Sequence, residues 1–222
     1  MTQLEIELQL LKNEVLNMWN LVRSQLAKAK VSLIEYDKDL AREVVLKERR
    51  VNGSELKIDR DCENIFALLT PVAIDLRFVL AVLKINSNLE RIGDIAEGIA
   101  KHIILSEQSF QIELLESSGL IEMYDEGIKM LDDTLTAFEN EDGILARGVF
   151  KKDEVLDEIN ENANRAIVKY LETQTNGRGL DQALYIYSII RKLERVGDQA
   201  KNIAEEIIFY IEAKVLKHKH SH

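Results

Sequence analysis

Cysteine, proline and tryptophan occur once each in this chain of 222 residues, as Cys62, Pro71 and Trp19. A lone cysteine excludes an intramolecular disulfide framework and any cysteine-built zinc finger. Cys62 is expected to be a small buried hydrophobe. With one proline, ten glycines and 6% aromatics, the punctuation of an all-β chain is missing. No apolar run approaches the roughly 18 residues that a membrane span needs. The opening "MTQLEIELQL" is acidic and amphipathic, unlike a secretory leader. A cytoplasmic protein with no membrane insertion is expected. The formal net charge of −10 repels phosphate backbones, which argues against nucleic-acid binding. Also lacking are a Gly-x-Ser-x-Gly elbow, a P-loop, a dinucleotide fingerprint and any paired nucleophile and base.

What the chain has in quantity is Leu, Ile, Glu, Lys and Ala, a helix-forming mixture. Leu4, Leu8, Leu11, Val15, Met18, Val22, Leu26, Ala29 and Leu33 recur at spacings of three and four, one apolar stripe along a first long helix. A second helical stretch reads from Tyr36 or Asp37 to Leu69, with a break expected at Asn52-Gly53 and Ser54 capping the restart. Thr70 as N-cap and Pro71 at the first helical position should open a third helix running to about Ile104. "SEQSFQIELLESSG" reads as irregular. Further helices are expected over 120–137, 144–171, with a polar interruption near Lys151–Asp153, and 181–214, the last preceded by the loop "TQTNGRGLD".

Two stretches are nearly the same. "NLERIGDIAEGIA" begins at Asn88 and "KLERVGDQAKNIA" at Lys192, so a shift of 104 carries Glu90 onto Glu194. With one residue of slack the same shift superposes "LARE" at Leu40 on "LARG" at Leu145. The sequence therefore predicts an all-α fold of two tandem three-helix bundles, residues 1–106 and 117–214, with 215–222 a disordered tail. The third helix is apolar nearly all round from Phe78 to Ile85, with Leu76, Leu80 and Leu83 opposite Phe78, Ala81 and Ile85. Two faces need covering, so the bundles should pack on one another.

Within each repeat, Leu89, Ile92, Ala96, Ile99 and Ile103, or Leu193, Val196, Ala200, Ile203 and Ile207, form the core stripe. Glu90 and Asp94, or Glu194 and Asp198, stand nearly opposite. Gly93 and Gly197 leave room for a neighbouring helix, at a propensity cost of roughly 1 kcal/mol each. Carboxylates four residues apart share one side of a helix and repel each other unless a cation intervenes. That cation could be supplied by Arg91, Arg195, Arg191 or Lys101, or it could be a bound metal. The preceding helices add Asp153, Asp157, Asn160 and Asn164, with Val155, Ile159, Ala163 and Ala166 on the apolar face. The matching residues of the first half are Glu48, Asn52, Glu55 and Asp59. Such oxygen-rich faces suit magnesium, manganese or iron. No Glu-x-x-His pair is present, which argues against a ferritin-like di-iron site.

"TPVAIDLRFVLAVLKINSNLERIGDIAEGIA" and "IIRKLERVGDQAKNIAE" resemble the PhoU family of phosphate-signalling proteins, over about residues 5–212. The resemblance implies a cytoplasmic homodimer that is not an enzyme. It implies a negative regulator of the phosphate-starvation response and of phosphate uptake. The implied partners are the ATP-binding subunit of the phosphate ABC transporter and the sensor histidine kinase. Some relatives carry multinuclear iron or zinc clusters on their acidic motifs, and others use magnesium or manganese. By position the implied metal ligands are Glu194, Asp198, Asp153, Asp157, Glu90, Asp94 and, more weakly, Glu48. Asn52 stands where the family has Asp, and Gly98 replaces the Asn kept at Asn202, so the second-half site is expected to be the better one. Asp75 and Arg77 also match, with a salt-bridge or helix-start role as open as a functional one. His102 is expected to sit beside the last carbonyls of its helix. His218, His220 and His222 suggest only adventitious metal binding. Two other readings are a metal-dependent hydrolase of a phosphorylated small molecule and a metal-free helical scaffold.

Overall fold

Of the stripe read from Leu4 to Leu33, the part from Leu11 onward is buried in α1 (Gln3–Glu35), with Leu4 and Leu8 half-buried, in the computed structural model, which describes residues 2–174 and 179–214. α1 opens on a capping box. Glu5 N–H donates to the Thr2 hydroxyl at 3.2 Å, and Thr2 N–H donates to the Glu5 carboxylate at 2.8 Å. Six further helices follow: α2 (Lys38–Leu69), α3 (Ala73–Leu105), α4 (Ile112–Ser117), α5 (Leu120–Asn140), α6 (Gly143–Thr173) and α7 (Leu180–Glu212). No strand occurs among the described residues. Helices α1, α2 and α3 pack as one bundle and α5, α6 and α7 as another.

The repeat extends to the turns. Tyr36 and Glu141 each end a helix in the left-handed region, and each is followed by an Asp N-cap, Asp37 or Asp142. Each cap's Oδ1 accepts two backbone N–H bonds at 2.9 Å, satisfying donors the helix start leaves free. Asp142→Ala should cost about 1 kcal/mol in urea unfolding, and Asp142→Asn much less, because Asn keeps the acceptor oxygen.

The halves are joined through α3 and α7, which run antiparallel, and through α1 on α5. Trp19, Phe78, Phe138 and Tyr210 gather there, one from each of α1, α3, α5 and α7, with neighbouring ring centroids 5.5 to 6.1 Å apart. The Trp19 indole N–H donates to Leu131 O at 3.2 Å, and Lys84 meets buried Glu206 at 3.0 Å. Only one face of the Phe78–Ile85 stretch is fully covered by this packing. Leu76 and Leu80 on the other stay partly exposed.

Several local expectations are corrected. α2 runs unbroken through Asn52-Gly53, because Val51 and Ile58 on either side are locked in the core and Gly53 costs only about 1 kcal/mol. α6 is likewise continuous through Lys151–Asp153. Its buried face is Ala146, Val149, Asp153, Leu156, Ala163, Ile167 and Tyr170, so Asp153 lies on the core stripe and Val155 is outside it. Thr70 does not cap α3. It ends α2 in the left-handed region, and α3 starts at Ala73 without a side-chain cap. Pro71, with no N–H to lose, lies in the short link where the chain reverses. The irregular stretch holds α4, anchored by buried Leu114 and Leu115. Cys62 is fully buried as expected, and burial pushes its thiol up to about 12. The expected tail, with His218, His220 and His222, lies outside the described residues, as does part of the "TQTNGRGLD" loop.

Candidate functional site

Each repeated glycine marks a place where two helices nearly touch. A Cβ on Gly93 would stand 3.1 Å from Val51 Cγ1 and 3.2 and 3.3 Å from the two carboxylate oxygens of Glu48. A Cβ on Gly197 would stand 2.8 Å from Leu156 Cδ2 and 3.0 Å from Asp153 Oδ1. The same geometry thus occurs twice: a buried acid on the second helix of each bundle is pressed against the glycine of the Glu-Arg-x-Gly-Asp stretch on the third. Glu48 is only 4% exposed and Asp153 only 3%. Carboxylates that deep need a charge partner or several hydrogen bonds.

In the α2–α3 seam, no cation supplies that partner. Gln25, in the amide orientation that satisfies both its ends, donates to Glu48 Oε2 at 3.2 Å. Glu48 Oε1 is buried without a hydrogen-bond partner. Burial, and then the charges of Asp94, Glu97 and Glu90, push the Glu48 carboxyl up to about 7. Glu90 is raised as well, by burial and by Asp94 and Glu55, while Glu55 is raised by burial, Asp59 and Asp94. Positive charge does stand at the seam's edge: Glu97 pairs with the more exposed Lys101, one turn on, at 2.6 Å, Arg91 draws the Glu90 carboxyl back, and Lys192 and Arg195 of α7 line the same groove as Asp94 and Glu97.

The α6–α7 seam is built from the same parts and is balanced differently. Lys201 Nζ donates to Asp153 Oδ2 at 2.5 Å. This bond, with the nearby Asp198 and Asp157, raises the Lys201 ammonium. Asp157 and Asp198 are raised by burial and by Asp153, but Lys201 pulls both back, joined at Asp198 by Arg191 and Arg195. Glu194 is raised by burial and by Asp198.

All seven acids proposed from sequence therefore fall at these two seams: Glu48, Glu90 and Asp94 at the first, Asp153, Asp157, Glu194 and Asp198 at the second. As the side chains stand, no group of three or more His, Cys, Asp or Glu among the described residues is arranged to hold a metal ion. The sequence reading missed Glu97 and Lys201. The 104-residue shift maps one onto the other within the two repeated stretches, three residues after Asp94 and Asp198, so the reversal of charge was legible in the aligned repeats. The second-half site was expected to be better because Asn52 lacks a charge. Asn52 is exposed, and the buried acid facing the glycine is Glu48.

Other candidates have structural partners. The His102 ring is turned onto α7, 3.2 Å from Ser188 Oγ and edge-on to Tyr185, instead of capping its own helix. Arg77 donates to Tyr210 O at 3.4 Å, near the last turn of α7. No described helix is long and apolar enough to cross a membrane.

A family model described as "PhoU domain" matches twice, over residues 15–103 and 120–207, once on each bundle. Among curated proteins, the phosphate-specific transport system accessory protein PhoU of Edwardsiella tarda is 34% identical over 219 residues, 97% of this chain and 87% of that protein. A PhoU homolog of Thermotoga maritima is 35% identical over 96% of this chain and 90% of its own length. The crystal structure of PhoU from Pseudomonas aeruginosa superposes with a TM-score of 0.89 at 32% identity, covering 96% of this chain and all of that one (100%). A phosphate transport system regulatory protein PhoU from Streptococcus pneumoniae gives 0.85 at 29% identity, over 96% and 99% of the two chains.

Proposed function

The chain belongs to the PhoU family, and from that premise we propose that it regulates phosphate transport as an accessory of a phosphate-specific uptake system. The observation that carries this is the match of whole chain to whole chain. Relatives named as accessory proteins of phosphate transport align over nearly the full length, with both bundles included. In the finer form of this reading, the protein is a cytoplasmic homodimer that acts negatively. It restrains the starvation response when phosphate is plentiful, through the transporter's ATP-binding subunit and a sensor histidine kinase.

The metal belongs to the same proposal. Glu48, Glu90 and Asp94 would hold a cation at the first seam, and Asp153, Asp157, Glu194 and Asp198 at the second. An all-oxygen donor set suits magnesium, manganese or iron, with zinc on the family's example. Support comes from Glu48, whose buried, unpartnered Oε1 faces a helix carrying three more acids. A bound cation would supply positive charge there and tie α2 to α3. Gln25 orients the Glu48 carboxylate, and Gly93 gives it access to the seam.

The functional test is complementation. In a bacterium deleted for its own family member, a phosphate-starvation reporter stays on in phosphate-rich medium. Expression of this chain should return it at least several-fold toward the repressed level. A reporter that stays high although the protein accumulates in folded form would count against the regulatory reading.

A further inference from the structure

We propose that the cavity where the end of α3 meets the start of α7 binds a flat, uncharged heteroaromatic molecule of about nucleobase size, held against His102 and Ser188. The cavity measures about 500 Å³ and lies between helices of different bundles. None of the seam acids lines it. Small-molecule sites commonly span roughly 300–1,000 Å³.

The repeat shows what this space accommodates. A shift of 104 exchanges the two ends of the α3–α7 contact, so Lys84 on Glu206 at one end becomes Ser188 on His102 at the other. The first end is closed. Phe78 and Tyr210 stand edge to face at 5.6 Å, and Lys84 lies over the Phe209 ring at 5.4 Å. At the second end the equivalents of Phe78, Tyr210, Phe209 and Lys84 are Gln182, Ser106, Leu105 and Ser188, each of them smaller. The space that rings and a lysine stem close at one end is therefore open at the other. Its walls are fixed. Gln182 Nε2 donates to Ser109 O at 2.9 Å, Gln111 N–H donates to Gln182 Oε1 at 3.0 Å, and the Tyr185 ring stands edge-on to His102 at 5.4 Å. Leu105 and Leu184 leave apolar side chains at the mouth, 68% and 60% exposed. A ring laid between them would cover that apolar surface.

Charge narrows the ligand. Exposed Glu107 and Asp181 in the lining repel anions, phosphate groups included. Burial and then the nearby Lys192 hold the His102 imidazole below the ordinary histidine range, and Lys192 equally disfavours a cation beside it. A neutral imidazole has one N–H donor and one bare nitrogen, and the Ser188 hydroxyl, 3.2 Å from His102 Nε2, can give or accept. The edge of a nucleobase or similar heterocycle presents donors and acceptors in one plane to match. A molecule seated there touches both bundles, so it stabilises their junction by mass action.

Adenine, indole and nicotinamide, each beside an anionic counterpart (adenosine monophosphate, indole-3-acetate and nicotinate), are titrated into the full-length protein. Saturation-transfer NMR, the His102 ring resonance and the melting temperature are the readouts. At least one neutral probe should bind with a Kd of roughly 1 mM or tighter, the range open to a molecule of that size. It should also shift the His102 signal and raise the melting temperature. Its anionic counterpart should bind at least tenfold more weakly. Leu105→Phe combined with Ser188→Lys copies the closed end and should lower the affinity at least tenfold. Helicity is measured in parallel. If that pair does not fold, Leu105→Phe alone, at an exposed position, should still weaken binding several-fold. Failure of all three neutral probes to bind, anions that bind as tightly as their neutral parents, or binding that persists undiminished in a folded filled variant would each overturn the site.

Discussion

Glu48→Gln should stabilise the metal-free protein by about 2–3 kcal/mol at pH 8 and by almost nothing near pH 4.5. The Glu48 carboxyl stands at about 7 in the folded chain against an ordinary value of 4.5, because burial and then Asp94, Glu97 and Glu90 disfavour its charge. A raised carboxyl binds its proton more tightly when folded than when unfolded. Stability is therefore undiminished below about pH 4.5, falls as the pH climbs toward 7, and carries the whole penalty above it. The separation between those two values corresponds to about 3 kcal/mol. Gln keeps the shape and removes the charge, so the variant should lack this slope. Urea unfolding of both proteins in chelator across that range checks it. With manganese in excess the sign should invert. Wild type then gains the mass-action stabilisation of a ligand bound only to the folded state, and Glu48→Gln gains less. Equal stability of the two proteins at pH 8 in chelator would show that the buried carboxylate is satisfied after all.

Trp19→Ala should cost about 3–5 kcal/mol and should weaken both bundles together. Removing a fully buried indole leaves a large cavity, takes away one ring partner of Phe138 at 5.5 Å, and removes the indole's hydrogen bond to the Leu131 carbonyl, which keeps that of the Thr134 hydroxyl. The site lies where α1 of one bundle meets α5 of the other, within an aromatic cluster fed by both halves. Heating should therefore give one transition in wild type and one lowered transition in the variant. Two separate transitions, only one of them shifted, would show that the bundles unfold independently. The same packing leads us to expect that a fragment of residues 1–106 will not melt cooperatively as a monomer, since α3 would expose the face now covered by α7.

Much of this was legible beforehand. The spacing of three and four from Leu4 to Leu33 fixes α1, and the shift between Glu90 and Glu194 fixes the duplication, because helical periodicity and internal repetition are properties of the chain alone. Local signals were less reliable. Asn52-Gly53 and the polar run at Lys151–Asp153 read as breaks, yet both lie inside continuous helices, since core contacts spread over some thirty residues outweigh a propensity penalty of about 1 kcal/mol. The short α4 was hidden because six residues cannot display a period, and its two buried leucines have meaning only against α5 and α6.

The sequence by itself determined the fold class, the twofold repeat and the identity of the acids at the two seams. What only the tertiary structure decided is the difference between those seams. Burial of Glu48 and Asp153 depends on how closely α2 approaches α3 and α6 approaches α7, which is set by Gly93 and Gly197 together with the packing around them. Whether a buried carboxylate then finds a partner depends on where one flexible side chain three residues beyond the motif can reach. Lys201 reaches Asp153, and Glu97 in the equivalent place can only add to the charge around Glu48. Electrostatic balance is a sum over neighbours in space, so two nearly identical stretches of sequence leave one buried carboxylate paired and the other with an oxygen that has no partner.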